Sequence, residues 1–267
     1  MNQRRPAVLV FAGSDPSGGA GIQADIQAIV ACGAHPLTVI TALTVQDNDR
    51  VYSVHPVSEA LLRQQAQALI AKIPIAAVKI GIVGSRANAE AIAALVTELR
   101  KRQPALPVVV DTVLASGHGD ALAVEDAVQT IAPLIGLATL ITPNLPEAEK
   151  LCGGEQGIAS QAHSLMQRGA AHVLIKGGHA EGDGAVVNTW FAKEASRTWS
   201  WPRLPGAFHG SGCTLASSIA AWLTQGKTVE QAVELGQQYC HRALECAYSV
   251  AEGQRMPNRS FNTQGIA

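Results

Sequence analysis

The segment His209-Gly210-Ser211-Gly212-Cys213-Thr214 runs directly into a small-residue stretch, Leu215-Ala216-Ser217-Ser218-Ile219-Ala220. Two glycines at a helix start leave consecutive backbone N–H groups open, which makes a cradle for an anion. Cys213 falls in the first turn, where the helix field lowers a thiol's pKa. A small, inert, buried cysteine is the competing reading. Other candidates close apolar runs: Asp111 follows Pro107–Val110, and Lys176 follows His172–Ile175. A carboxylate and a cation at strand ends suit magnesium and polyphosphate in layered α/β folds. Asn144 and Glu147 open a helix after another such run. They offer ligands for hydrated magnesium and phosphate oxygens, or serve only as a turn residue and a first-turn stabiliser.

Gly13-Ser14-Asp15-Pro16-Ser17-Gly18-Gly19-Ala20-Gly21 lies between a strand and a helix, so backbone can approach a ligand closely there. Its spacing is neither GxGxxG nor Walker A, and a plain tight turn remains open. Asp25, about one turn into the helix, faces either a ligand crevice or solvent. In Thr44-Val45-Gln46-Asp47-Asn48, read as a loop after a strand, the Gln46 amide offers a donor and an acceptor, matching the edge of a heteroaromatic ring or an ordinary polar loop. In Lys79-Ile80-Gly81-Ile82-Val83-Gly84, Lys79 reads as structural and Ile82 as an apolar pocket wall. No histidine stands at a convincing metal spacing; His163, His172 and His179 fall on different elements.

The elements that must position these groups follow an α/β rhythm. Nearly continuous apolar runs predict strands at Ala7–Ala12, Leu37–Leu43, Ala77–Ile80, Pro107–Val110, Ala138–Ile141 and His172–Ile175. Alanine- and glutamine-rich stretches predict helices near Gly21–Cys32, Ser58–Ala71, Ala87–Lys101, Val124–Ile135 and Gly157–Arg168. An antiparallel pair, Ala185–Phe191 with Arg197–Trp201, and helices at Ser211–Leu223 and Val229–Ala247 complete the series. Too few parallel strands exist for an eight-fold barrel. An open, mostly parallel sheet in a three-layer αβα sandwich is expected, as one domain over residues 1–267, with 250–267 a tail or loosely packed cap.

Composition narrows the class. The 267 residues are 47% hydrophobic and 15% charged, with a net charge of -1. Such a chain buries a large core and lacks the positive field that a nucleic-acid binder needs. No apolar run is long enough for a membrane span. The five cysteines are odd in number and none forms CxxC, which favours a reducing cytoplasm over a disulfide scaffold. The N-terminal apolar run reads as a first strand rather than a signal peptide.

Six stretches in order, AGSDPSGGAGIQADI, VITALTVQ, VKIGIVGS, ITPNLPEAE, IKGGH and HGSGCTLASSIAA, closely resemble the hydroxymethylpyrimidine/phosphomethylpyrimidine kinases of thiamine biosynthesis, in the ribokinase-like superfamily. The resemblance covers Ala12 to about Tyr248. It implies ATP-dependent phosphorylation of 4-amino-5-hydroxymethyl-2-methylpyrimidine and then of its monophosphate, with ATP and Mg2+ as cofactors and a homodimer as the assembly. Residue by residue, it implies a pyrimidine site at Gly13, Asp25, Thr44, Gln46 and Ile82. Asn144 and Lys176 match nucleotide- and phosphate-contacting positions, and Asp111 and Glu147 match the magnesium side. Gly210, Ser211 and Gly212 match the anion hole. Cys213 matches the catalytic base, where sugar-kinase cousins use aspartate.

The chain departs from the family pattern at three places. Ile82 stands where methionine is usual. DTVLASGHG replaces a pattern like DPVMVAKSG, so Leu114 stands for methionine and Gly117 for lysine. The missing cation weakens the second phosphorylation or passes its duty to another residue, with His118 a candidate. A vitamin B6 kinase is the nearest enzymatic alternative, and a non-catalytic pyrimidine sensor a more distant one.

Overall fold

The computed structural model describes residues 4–115, 126–179 and 184–261. Its strands are β1 (Ala7–Ser14), β2 (His35–Gln46), β3 (Val51–Pro56), β4 (Ile75–Ile80), β5 (Val108–Val110), β6 (Leu140–Ile141), β7 (His172–Ile175), β8 (Val186–Phe191) and β9 (Ser196–Trp201). The helices are α1 (Gly21–Ala31), α2 (Glu59–Ile70), α3 (Arg86–Arg102), α4 (Ala127–Ile135), α5 (Leu145–Leu151), α6 (Ile158–Gln167), α7 (Ser211–Leu223) and α8 (Val229–Glu245).

Among the described residues the strands form one sheet in the order β3-β2-β1-β4-β5-β6-β7-β8-β9. The run from β2 to β7 is parallel, and β3, β8 and β9 are antiparallel edges. Period-two alternation divides each central strand between two apolar layers. Ala7, Leu9 and Phe11 of β1 join the layer under α2 to α6, while Val8, Val10 and Ala12 join the layer under α1, α7 and α8. This is the expected αβα sandwich. All the parallel strands end on the same side, so their following loops share one rim, and the chain leaves β1 in opposite directions toward β2 and β4.

The late hairpin stands where expected, and so does a helix opened by Asn144. Two expectations change. Thr44 and Gln46 are not in a loop, because β2 continues to Gln46 and pairs with β3, which the apolar pattern did not reveal. That edge strand is only partly buried and contains His55 and Pro56, as edge strands do. Its turn is built by Asp47, whose Oδ1 accepts the N–H groups of Asp49 and Arg50 at 2.8 Å each. Those bonds and the Tyr52 hydroxyl hold the exposed Asp47 carboxyl down at about 2.

The C-terminal segment is likewise no loose cap over its described part. Tyr248 and Met256 exchange backbone hydrogen bonds, Asn258 N–H donates to the Ala243 carbonyl at 2.9 Å, and Arg259 is buried against α7. Polar residues near the chain end suggested a surface tail, but their partners lie far away in sequence.

Candidate active site

The loops on the common rim enclose a cavity of about 550 Å³. Parallel pairing brings its charged wall together. An isolated bridge joins Asn144 to Lys176, one step beyond β6 and β7, and Lys176 N–H donates to the Pro143 carbonyl at 2.8 Å. Asp111 is set by its own N–H on the Ile80 carbonyl at 2.8 Å. The Lys176 ammonium lies 3.2 Å from Asp111 Oδ1, which also accepts the Thr142 hydroxyl at 3.1 Å. Asp111 Oδ2 is buried and has no hydrogen-bond partner among the described residues. Glu147 completes a capping box: its Oε2 accepts Asn144 N–H at 2.8 Å, while Asn144 Oδ1 accepts Glu147 N–H at 2.9 Å.

Electrostatics couples these groups. Burial alone would lower the Lys176 ammonium, but Asp111 and Glu147 outweigh it and hold the lysine above its ordinary range. Burial raises the Glu147 carboxyl, with Lys176 opposing.

Helix α7 faces this wall with its N-terminus. Its N-cap, Gly210, adopts a left-handed φ of 73° and supplies no side-chain cap, so side chains leave the first N–H groups open. A Cβ on Gly212 would lie 3.3 Å from Lys176 Nζ and 3.5 Å from Asp111 Oδ2, so the helix start touches the charged pair directly. Gly210, Ser211, Gly212 and Cys213 all line the cavity.

Cys213 corrects the expectation of a lowered thiol pKa. Burial pushes it up to about 11, although Lys79 and a hydrogen bond from Gly21 N–H pull the other way. Desolvation, with the nearby Asp25 and Asp111 carboxylates, outweighs both of these.

The remaining expected residues divide between lining and support. Gln46 and Ile82 line the cavity. Gly13 is buried behind Ile82, and Thr44 donates its hydroxyl to the Ser14 carbonyl at 2.8 Å. Neither lines the cavity, and nor does Asp25. Asp25 is fully buried, with Oδ1 2.8 Å from Lys79 Nζ and accepting the Ser217 hydroxyl at 2.6 Å. The pair thus holds Asp25 inward, behind the cavity lining. Burial raises the Asp25 carboxyl, while Asp25's charge holds Lys79 above its ordinary range against its own desolvation. Leu114 is buried in the apolar layer; Gly117 and His118 lie outside the described residues.

Several lining residues were missed. His209 was quoted within the glycine segment but given no role. Its Nε2 lies 2.9 Å from Asp15 Oδ2 and 3.3 Å from Gln46 Nε2, so it bridges the first loop to the end of β2. Burial would raise the Asp15 carboxyl, but His209, Ser17 and Ala20 N–H together keep it below its usual value. Trp201, Arg203 and Gln237 also line the cavity with no local sequence signal to mark them, as does His179, which closes the IKGGH stretch. Among the described residues no group of three or more histidine, cysteine and acidic side chains could hold a metal alone, and no helix is long and apolar enough to cross a membrane.

Residues 15–258 match the model of the phosphomethylpyrimidine kinase family. A hydroxymethylpyrimidine/phosphomethylpyrimidine kinase of Rhizobium meliloti is 38% identical over 267 residues, covering 95% of this chain and 96% of that one. A thiamine biosynthesis bifunctional protein of Geobacter sulfurreducens is also 38% identical over 276 residues, with this chain spanning 55% of its length. The solved pyridoxal kinase from Staphylococcus aureus, in complex with AMP-PCP and pyridoxal, superposes with a TM-score of 0.85 at 25% identity over 98% of this chain and 96% of that one. The ribokinase-like architecture and a match over most of the sequence agree: the chain belongs to the phosphomethylpyrimidine kinase family.

Proposed function

We propose that this protein transfers the γ-phosphoryl of ATP to the hydroxymethyl group of 4-amino-5-hydroxymethyl-2-methylpyrimidine, and then phosphorylates the monophosphate to the pyrophosphate used in thiamine biosynthesis. The observation that carries the reading is the Asp111 carboxylate. One oxygen is tied to Lys176, the other is buried without a partner, and the open N-terminus of α7 stands against both. Among the described residues nothing repays the desolvation of that oxygen, and a bound cation carrying the phosphates would.

Asp111 and Glu147 fit a magnesium ion that completes its coordination with phosphate oxygens and water, as that ion usually does. When bound, magnesium would neutralise charge on the terminal phosphates. Lys176 and the N–H groups at Gly210–Cys213 hold the transferring phosphoryl, where stabilising charge matters most. The ring lies toward Gln46 and Ile82, with the Gln46 amide oriented by His209.

Cys213 faces the substrate hydroxyl. A thiol near 11 is protonated at neutral pH, and a loose phosphoryl-transfer transition state asks little deprotonation of the nucleophile. Cys213 therefore orients the hydroxyl, and general-base assistance grows only as its thiolate fraction rises with pH. In the second step the phosphate nucleophile needs Cys213 less and needs the cations more.

Phosphate transfer from ATP to the free pyrimidine and to its monophosphate, with products separated, tests the assignment; failure with both refutes it. Pyridoxal in the same assay tests the second reading, favoured by the close superposition with a pyridoxal kinase. Five free thiols fit a reducing cytoplasm. A homodimer is the expected assembly: Leu43 and Val45, neighbours on one face of β2, remain exposed near the sheet edge. Sedimentation at assay concentration would show a monomer if this is wrong.

A further inference from the structure

The C-terminal segment carries one buried charge for which phosphoryl transfer, as derived above, has no use. Arg259 is 2% exposed, and its carbonyl accepts the Tyr239 hydroxyl at 2.8 Å. Its guanidinium donates through Nε to Thr214 Oγ1 at 2.8 Å, and through Nη2 to the carbonyls of Gly19 and Gly210, the latter at 3.4 Å. All three acceptors are neutral. Burying a cation costs several kcal/mol, which neutral acceptors offset only in part, and a packed apolar side chain would hold the segment down without that cost.

What the arginine adds is direction. A Cβ on Gly210 would lie 2.1 Å from the Gly19 carbonyl oxygen, so the first glycine loop and the start of α7 meet backbone to backbone. The fork of Arg259 spans that seam, and the Thr214 hydroxyl, itself a donor to the Gly210 carbonyl at 2.8 Å, braces it. Across a planar trans peptide, C=O and N–H point in opposite directions. The Gly210 carbonyl also accepts the Thr214 N–H at 3.0 Å, so holding it toward the helix and the guanidinium turns the Ser211 N–H away from both, outward from a helix start that lines the cavity. Holding the Gly19 carbonyl likewise sets the Ala20 N–H, which donates to Asp15 Oδ2 at 2.6 Å and so fixes the partner of His209.

We propose that Arg259 is a positioning residue for phosphoryl transfer: it aims the Ser211 N–H into the anion cradle and sets its positive charge behind the start of α7. The proposal rests on the kinase reading above. Arg259→Ala lowers kcat by about 10²-fold, the loss that small misplacement of a catalytic group brings. It leaves KM for the pyrimidine unchanged, and added guanidinium ion, filling the vacated space, restores turnover. Arg259→Lys keeps the charge but not the fork; it folds with wild-type Tm and falls between the two in kcat. Wild-type kcat in either variant overturns the proposal, and so does a loss in folded Arg259→Ala that guanidinium does not relieve. Should Arg259→Ala fail to fold, kcat of Arg259→Lys decides. A wild-type chain that transfers no phosphate counts against the kinase reading instead. Amide exchange then judges positioning separately: faster exchange at Ser211 and Ala20 in Arg259→Lys supports it, and unchanged exchange overturns it.

Discussion

The two walls of the cavity are built differently. The phosphate wall consists of backbone and charge at the ends of regular elements: Asp111 after β5, Asn144 and Glu147 at α5, Lys176 after β7, and the start of α7. Each group is held by the ladder or helix beneath it. The ring wall is assembled from Gln46 at the end of a strand paired to an exposed edge, Ile82 in the loop after β4, and His209, whose neighbours are 163 and 194 residues away in sequence. The first wall sits on regular elements and, in the proposed reading, offers one kind of chemistry, phosphate recognition. The second is a set of side chains, replaceable without disturbing the sheet. Substitutions in the first should therefore reduce turnover with every acceptor, and substitutions in the second should change which acceptor is preferred.

The largest effect is expected at Asp111. Asp111→Asn removes the charge opposite Lys176 and the unshared oxygen, and should cut kcat by about 10³-fold for both phosphorylation steps and for pyridoxal alike. Similar losses across acceptors, in product-separated assays, support the division. A loss confined to one acceptor would break it.

Cys213 comes next and separates the two steps. Cys213→Ala should lower the first phosphorylation by about 10²-fold, the loss that small misplacement of a reacting group brings, and the second far less, while ATP still binds. The sign of the pH effect follows from a thiol at about 11 whose deprotonated form is the active base. Turnover of the free pyrimidine should climb through the alkaline range below that value, and the climb should vanish in the alanine variant. A plateau already reached at neutral pH would mean that the bound substrates ionise the thiol, contrary to the environment seen here.

Much of the phosphate wall could be read in advance because it obeys local rules. A carboxylate or lysine closing an apolar run, and glycines opening a helix, are visible within ten residues of sequence. The ring wall and its supports were less legible. Strand β3 escaped because an exposed edge needs no continuous apolar run. The burial of Asp25 was not legible because nothing near it in sequence announces Lys79 and Ser217. Arg259 lies 240 residues from the Gly19 carbonyl it holds, so its role exists only after folding. The thiol of Cys213 was misjudged for a related reason: the helix field is a local property, whereas desolvation and the carboxylates of Asp25 and Asp111 are contributed by distant segments.

Asp25 supplies a test of stability rather than turnover. Asp25→Asn strands the fully buried Lys79 ammonium, and removing one partner of such a pair costs about 3–5 kcal/mol. The double variant Asp25→Asn/Lys79→Met should recover much of that loss in denaturant unfolding, since no charge is then left uncompensated. If the single variant instead unfolds like wild type but loses pyrimidine affinity, Asp25 belongs to the ring wall after all.

The smallest effect is expected at Gln46, and it bears most directly on the comparison. Gln46→Ala should raise KM for the pyrimidine by about tenfold, the typical worth of one or two hydrogen bonds, with kcat nearly preserved. The lost amide matched the aminopyrimidine edge, so discrimination against pyridoxal should shrink even as the phosphate wall keeps working. His209→Ala should give a weaker version of the same change, because it frees the Gln46 amide without removing it. Equal losses with both rings would mean that Gln46 fastens the end of β2 rather than reading the substrate, and the ring wall would then be as uniform in its effects as the phosphate wall opposite.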